Sequence, residues 1–77
     1  MNYDLAIMAL EGLARAPLSI AARGGEVVIT GEAAAFKELA RLCLLIGRGS
    51  SEDGFELQPG AHLTRESPML RLMVGET

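Results

Sequence analysis

Apolar and polar positions change their spacing several times along the chain, and each change marks a new element. Residues from Leu5 to Leu10 are mostly apolar, and Asp4 precedes them as a residue type suited to capping a helix. Pro17 disfavours helical backbone in the residue before it and so marks the end. A helix is expected here, although Gly12 weakens it by about 1 kcal/mol relative to alanine and a strand at Leu5 to Leu10 is the alternative.

In "LSIAARGGEVVITG" the period drops to two. Leu18, Ile20 and Ala22 alternate with Ser19, Ala21 and Arg23, and Val27 and Ile29 follow after Gly24-Gly25. Two glycines between β-rich runs supply the positive φ values of a tight turn, which predicts an antiparallel hairpin.

The segment "TGEAAAFKELARLCLLIG" returns to helical spacing. Thr30 or Gly31 takes the capping position, Glu32 the first turn, and Gly47 the left-handed position at the end. Phe36, Leu39, Ala40, Cys43 and Ile46 recur at intervals of three and four, which predicts one buried face with Cys43 packed as a small hydrophobe. Lys37, Glu38, Arg41 and Arg48 form the wet side. Leu42, Leu44 and Leu45 widen the apolar stripe beyond what one sheet would cover, so they call for the first helix, a second copy or another protein against them and are candidates for an oligomer or partner patch.

After the loop "RGSSEDG", Phe55 and Leu57 alternate with Glu56 and Gln58 as a short strand, and Pro59-Gly60 turns the chain. Leu70, Leu72 and Val74 alternate with Met69, Arg71 and Met73 as a last strand, with Pro68 at its start because proline cannot donate to a ladder. The expected fold is a single α+β domain over residues 1–77, ordered α-β-β-α-β-β. It is a two-layer sandwich of about four antiparallel strands in one sheet and two helices on one face.

Composition narrows the function classes. In 77 residues, 49% are hydrophobic but only 4% aromatic, so the core is expected to be aliphatic and some apolar surface to stay outside. A net charge of −3, with seven Lys and Arg scattered along the chain, makes nucleic acid a poor expectation. The leading segment lacks a basic start and its apolar run is too short to span a bilayer, so no membrane role is expected. One cysteine permits no intrachain disulfide, which fits a reducing compartment and points to the cytoplasm.

Chemistry-bearing groups are sparse. His62 stands near Thr64, Glu66 and Ser67, but no nucleophile-elbow pattern accompanies it, and catalysis is not expected. One His and one Cys fall short of a zinc ligand set, and Glu52, Asp53 and Glu56 do not follow the calcium-loop pattern. The string "GRGSS" follows a helix, so its amides are not at a helix start, and no nucleotide or other cofactor is expected. One directional feature remains: Glu52, Asp53, Glu56 and Glu66 cluster near one another, answered locally only by Arg65, which would steer a basic partner.

The order "VVITGEAAAFKELARLCLLI…GFELQPGAHLTRESPMLRL" resembles a family of bacterial polymorphic-toxin immunity proteins, immunity protein number thirty-two. The matching positions are Gly31, Phe36, Leu39 and Ala40, then Phe55, Leu57 and Pro59, then Leu63, Ser67, Pro68, Leu70 and Leu72. Gln58 departs from the acidic residue expected before the proline, and the segment before Pro17 has no counterpart. The resemblance implies a cytoplasmic protein without activity of its own that binds and blocks a cognate toxin domain.

The expectation is therefore a non-catalytic binding protein that inhibits a protein partner through the loops at 48–54 and 58–67. Glu52, Asp53 and Glu56 would steer the partner, Arg65 and Glu66 would hydrogen-bond to it, and His62 would stack or donate. The alternatives are a phage or mobile-element inhibitor of a host complex, and a homo-oligomeric structural module such as a homodimer, in which Leu42, Leu44 and Leu45, together with Met69 and Met73, pair across a two-fold axis.

Overall fold

In the computed structural model, which describes residues 3–48 and 54–75, both helices form where the spacing places them. Helix α1 runs Tyr3–Arg15 and helix α2 runs Ala33–Gly47. Asp4 lies inside the first turn of α1 instead of capping it, and the helix stops two residues before Pro17. The N-cap of α2 is Glu32, later than Thr30 or Gly31; its carbonyl accepts from the N–H groups of Ala35 (3.0 Å) and Phe36 (3.2 Å), and its side chain makes no cap bond. Gly47 is the last helical residue and Arg48 continues in right-handed backbone, so Gly47 is not the left-handed residue expected there.

Strands β1 (Ser19–Arg23) and β2 (Glu26–Thr30) form the expected hairpin, with Ile20 opposite Ile29 and Arg23 opposite Glu26. Gly24 and Gly25 turn it with φ of 59° and 80°. Strands β3 (Phe55–Leu57) and β4 (Leu70–Leu72) pair antiparallel with Glu56 opposite Arg71. Val74 lies beyond β4 and is exposed.

The fold is α+β, but the strands make two separate two-stranded sheets instead of one sheet of four. The division has a local cause. Along the edge of β1 turned from β2, the partner is the loop at 58–67: the N–H of Leu18 donates to the His62 carbonyl (3.2 Å) and that of Thr64 to the Leu18 carbonyl (2.9 Å). The next donor, the N–H of Ile20, goes to the Ser67 hydroxyl (2.8 Å). A side chain thus takes the place of a strand carbonyl, and Pro68, without an N–H, cannot extend the ladder.

That makes Ser67, which is buried and also bonded to the Thr64 hydroxyl (2.8 Å), a structural residue. Ser67→Ala would strand a buried backbone donor, at about 1–3 kcal/mol. Denaturant melts should register that loss, with faster amide exchange at Ile20. Unchanged exchange at Ile20 would show that the hydroxyl is not its acceptor.

One core cluster joins Ala9 and Leu13 of α1, Leu18 and Ile20 at β1, Ala35 and Leu42 of α2, Leu57 of β3 and Leu63 of the loop, and the half-buried Ile29 of β2 and Leu70 and Leu72 of β4 pack against it. The face that α2 buries is rotated from the expected one. Ala35, Leu42 and Leu45 are buried, whereas Phe36, Cys43 and Leu44 are exposed. Leu42 and Leu45, candidates for an outward patch, are therefore core residues, and only Leu44 of that trio faces out.

The rotation follows from α2 having two neighbours. Its Leu39 packs on the common core, while its Glu38 turns toward α1, where a Cβ on Gly12 would stand 2.0 Å from the Glu38 carboxylate. Glu38, expected on the wet side, is consequently only 14% exposed in its side chain and pairs with Arg41 one turn on. Among the described residues no helix is long and apolar enough to cross a membrane.

Candidate partner-binding face

The outer side of the β3–β4 ladder gathers most of the polar contacts made by the sequence-derived site residues. Strand alternation turns Phe55, Leu57, Leu70 and Leu72 toward the core. It leaves Glu56 on β3 and Arg71 on β4 facing out, and Met69 and Met73, which flank β4, are exposed as well. Met69 is 47% and Met73 64% exposed, values that leave these side chains free to pack against something else.

Polar contacts tie this surface together. Arg71 forms an ion pair with Glu56 across the ladder. The Gln58 amide donates to the other Glu56 oxygen (3.3 Å) and lies against the Met69 sulfur (3.5 Å). Behind them the loop is braced by its own backbone. The Gln58 carbonyl accepts from Ala61 (3.1 Å), His62 (3.1 Å) and Leu63 (3.2 Å), and Gly60 closes the turn at φ 82°.

His62 belongs to this bracing. Its Nδ1 accepts from the Gln58 N–H (3.2 Å), which places the proton of the neutral ring on Nε2. It is half-buried, while Arg65 and Glu66 are exposed on the turn that follows. The Ser67 and Thr64 hydroxyls bond to each other and the Ser67 hydroxyl accepts from Ile20 of β1, whereas His62 bonds to Gln58, so the imidazole and the hydroxyl pair have separate structural partners.

One expectation about charge changes, while the steering acids Glu52 and Asp53 lie outside the described residues. Glu56 is answered by Arg71, not left to Arg65: antiparallel pairing brings residues fifteen positions apart directly opposite each other. The acidic field is correspondingly weaker at this strand. Arg71 was not among the sequence-derived site residues, although the alternation of Met69, Arg71 and Met73 with buried leucines carries the signal for it.

Cys43 also differs from expectation, standing exposed beside Met73 in a shallow depression with Ile46 and Arg71. Among the described residues no group of three or more His, Cys, Asp or Glu side chains is placed to hold a metal ion. No buried side-chain nitrogen or oxygen lacks a hydrogen-bond partner among them either. No family model, curated protein or solved structure matches the chain.

Proposed function

We propose that this chain is a non-catalytic binding protein that inhibits a protein partner, and that it serves as an immunity protein neutralising a cognate toxin domain in the cytoplasm. The supporting observation is the outward row Met69, Arg71 and Met73 beside Glu56 and Gln58. Methionine is flexible and polarizable and adapts to a partner's contours, and arginine bounded by apolar groups is a common anchor of interfaces. Neither methionine contributes to the core cluster, so the fold does not explain them.

In this reading the ladder supplies the apolar centre of the interface and the loop its polar rim. Arg65, Glu66 and the exposed edge of His62 contribute hydrogen bonds at the rim, and the acids at 48–54 steer a basic partner. The toxin assignment itself comes from the motif resemblance.

The experiment is affinity capture from the protein's own source, followed by an assay of whatever is bound. Wild-type protein should retain one polypeptide in equimolar amount and suppress its toxicity on co-expression. The Met69→Glu/Met73→Glu variant should keep its helical circular dichroism but lose the capture. Retention by that variant would move the interface elsewhere, and a captured protein that is harmless to cells would overturn the toxin assignment.

A further inference from the structure

The two edges of the β1–β2 hairpin are treated differently. Its two-residue turn makes Arg23 and Glu26 exchange both backbone bonds, and alternation then turns the N–H and C=O groups of Ala21 with Val28, and of Ser19 with Thr30, inward. Outward on β1 point those of Leu18, Ile20 and Ala22, and the loop at 58–67 bonds to the first two. Outward on β2 point those of Val27 and Ile29, and among the described residues nothing bonds to them.

Strand β2 also lacks the proline, lysine or bulge that would keep such an edge from pairing, and its ladder to β1 is regular from end to end. Val27 is 67% exposed, although it shares a face of the hairpin with Ile20 and Ile29, which turn toward the core. An apolar strand with free outward donors and acceptors is a template for another strand.

We infer that this edge pairs with the same edge of a second copy, antiparallel about a two-fold axis at Val28, giving one sheet in the order β1-β2-β2-β1. Donors meet acceptors only where outward-facing residues stand opposite each other, which, with most of the strand overlapped, leaves registers centred on Val27, Val28 or Ile29. Centring on Val27 sets Ile29 and Thr30 against the turn glycines of the other copy, and centring on Ile29 sets Glu26 against Glu32. Centring on Val28 pairs β2 over its full length: Val27 with Ile29 of the second copy, Glu26 with Thr30, and Val28 with itself.

That register fits on both faces. On the core face the exposed Val27 gains Ile29 of the other copy as a cross-strand neighbour. On the outer face Glu26 arrives beside Ser19 and Thr30 of the other copy, which line an open depression with Arg15 and Glu32. Arg23 lies opposite Glu26 in its own hairpin. Each end of the joined sheet therefore gathers Arg15 and Glu32 of one copy with Arg23 and Glu26 of the other, charges that balance. Among the described residues none of these four forms an ion pair within its own chain. A second copy thus brings the matching donors, apolar row and charges already in place. Because the loop at 58–67 occupies β1, the sheet closes at two copies.

Sedimentation equilibrium of the purified chain over a range of micromolar concentrations, with amide exchange on the same samples, tests the inference. The mass should rise from one chain to two, and protection at Val27 and Ile29 should rise with it. Val27→Pro removes an N–H that bonds to nothing within the chain, so it should keep the circular dichroism while raising the dissociation constant about tenfold or more. Register is read by cross-linking in a Cys43→Ser background with oxidised glutathione. Val28→Cys should form a disulfide-linked dimer readily, because only the residue on the axis meets itself, and Thr30→Cys on the same face should not. A single-chain mass at every concentration would overturn the inference, even if a foreign strand protected the edge. So would a dimer whose Val27 and Ile29 amides exchange freely, or cross-linking no faster at Val28→Cys than at Thr30→Cys.

Discussion

Replacing Leu42 by alanine is expected to cost about 2–5 kcal/mol, whereas replacing its neighbour Cys43 should change stability by less than about 0.5 kcal/mol. Leu42 is fully buried within the common core, and the cavity left by its isobutyl group would be walled by residues of the other elements. A domain of this length holds only about 3–5 kcal/mol in reserve, so the loss would bring it close to unfolding. The thermal midpoint should fall by roughly 10–40 °C. Cys43 is exposed, and in the folded protein its thiol should react with a thiol reagent as fast as in denaturant-free peptide controls. Thiol protection in the native state together with a mild Leu42→Ala would mean that α2 is turned to the face that simple periodicity favours.

The contrast between Leu42 and Cys43 marks how far the sequence can be read. Both helices and the hairpin are legible because their signals are local: three-and-four spacing, a proline after the first helix, and a Gly-Gly turn whose two residues both take positive φ. The buried face of α2 is not legible. Phe36, Leu39, Leu42, Leu44, Leu45 and Ile46 make that helix apolar almost all round, so spacing cannot choose between faces. The choice is made by tertiary neighbours, among them Gly12, whose missing side chain leaves room for Glu38.

The split of the sheet is hidden for a similar reason. It depends on the loop at 58–67 lying along the edge of β1, where His62, Thr64 and the Ser67 hydroxyl meet backbone groups more than forty residues earlier, and no local pattern announces such contacts. Of the candidate face, the alternation of Met69, Arg71 and Met73 with leucines is plain in the sequence. The pairing of Glu56 with Arg71 is not, since it follows from register, and register is set by how two distant strands meet.

Gly54 tests whether the candidate face stands on the ladder as described. Gly54→Ala should cost about 2–4 kcal/mol, the sum of a left-handed backbone penalty and a forced displacement of β4. Gly54 has φ 77°, and a Cβ there would lie 1.8 Å from the Leu72 carbonyl oxygen and 3.2 Å from the Met73 Cα. The obstacle is backbone, which cannot rotate aside as a side chain would, so the strands must separate where Phe55 opposes Leu72. Gly24 offers the matched control. Its φ is 59° but its Cβ would meet nothing within 4 Å, so Gly24→Ala should show the backbone penalty alone, about 1–2 kcal/mol. Amide exchange separates the two effects. In Gly54→Ala, protection should fall at 55–57 and 70–72 while the β1–β2 hairpin keeps its own, and partner capture should weaken because the methionine row rides on β4. Equal costs for the two variants, or an undisturbed ladder, would show that the close approach of Gly54 to β4 does not hold the strands, and the binding face would have to be supported from elsewhere.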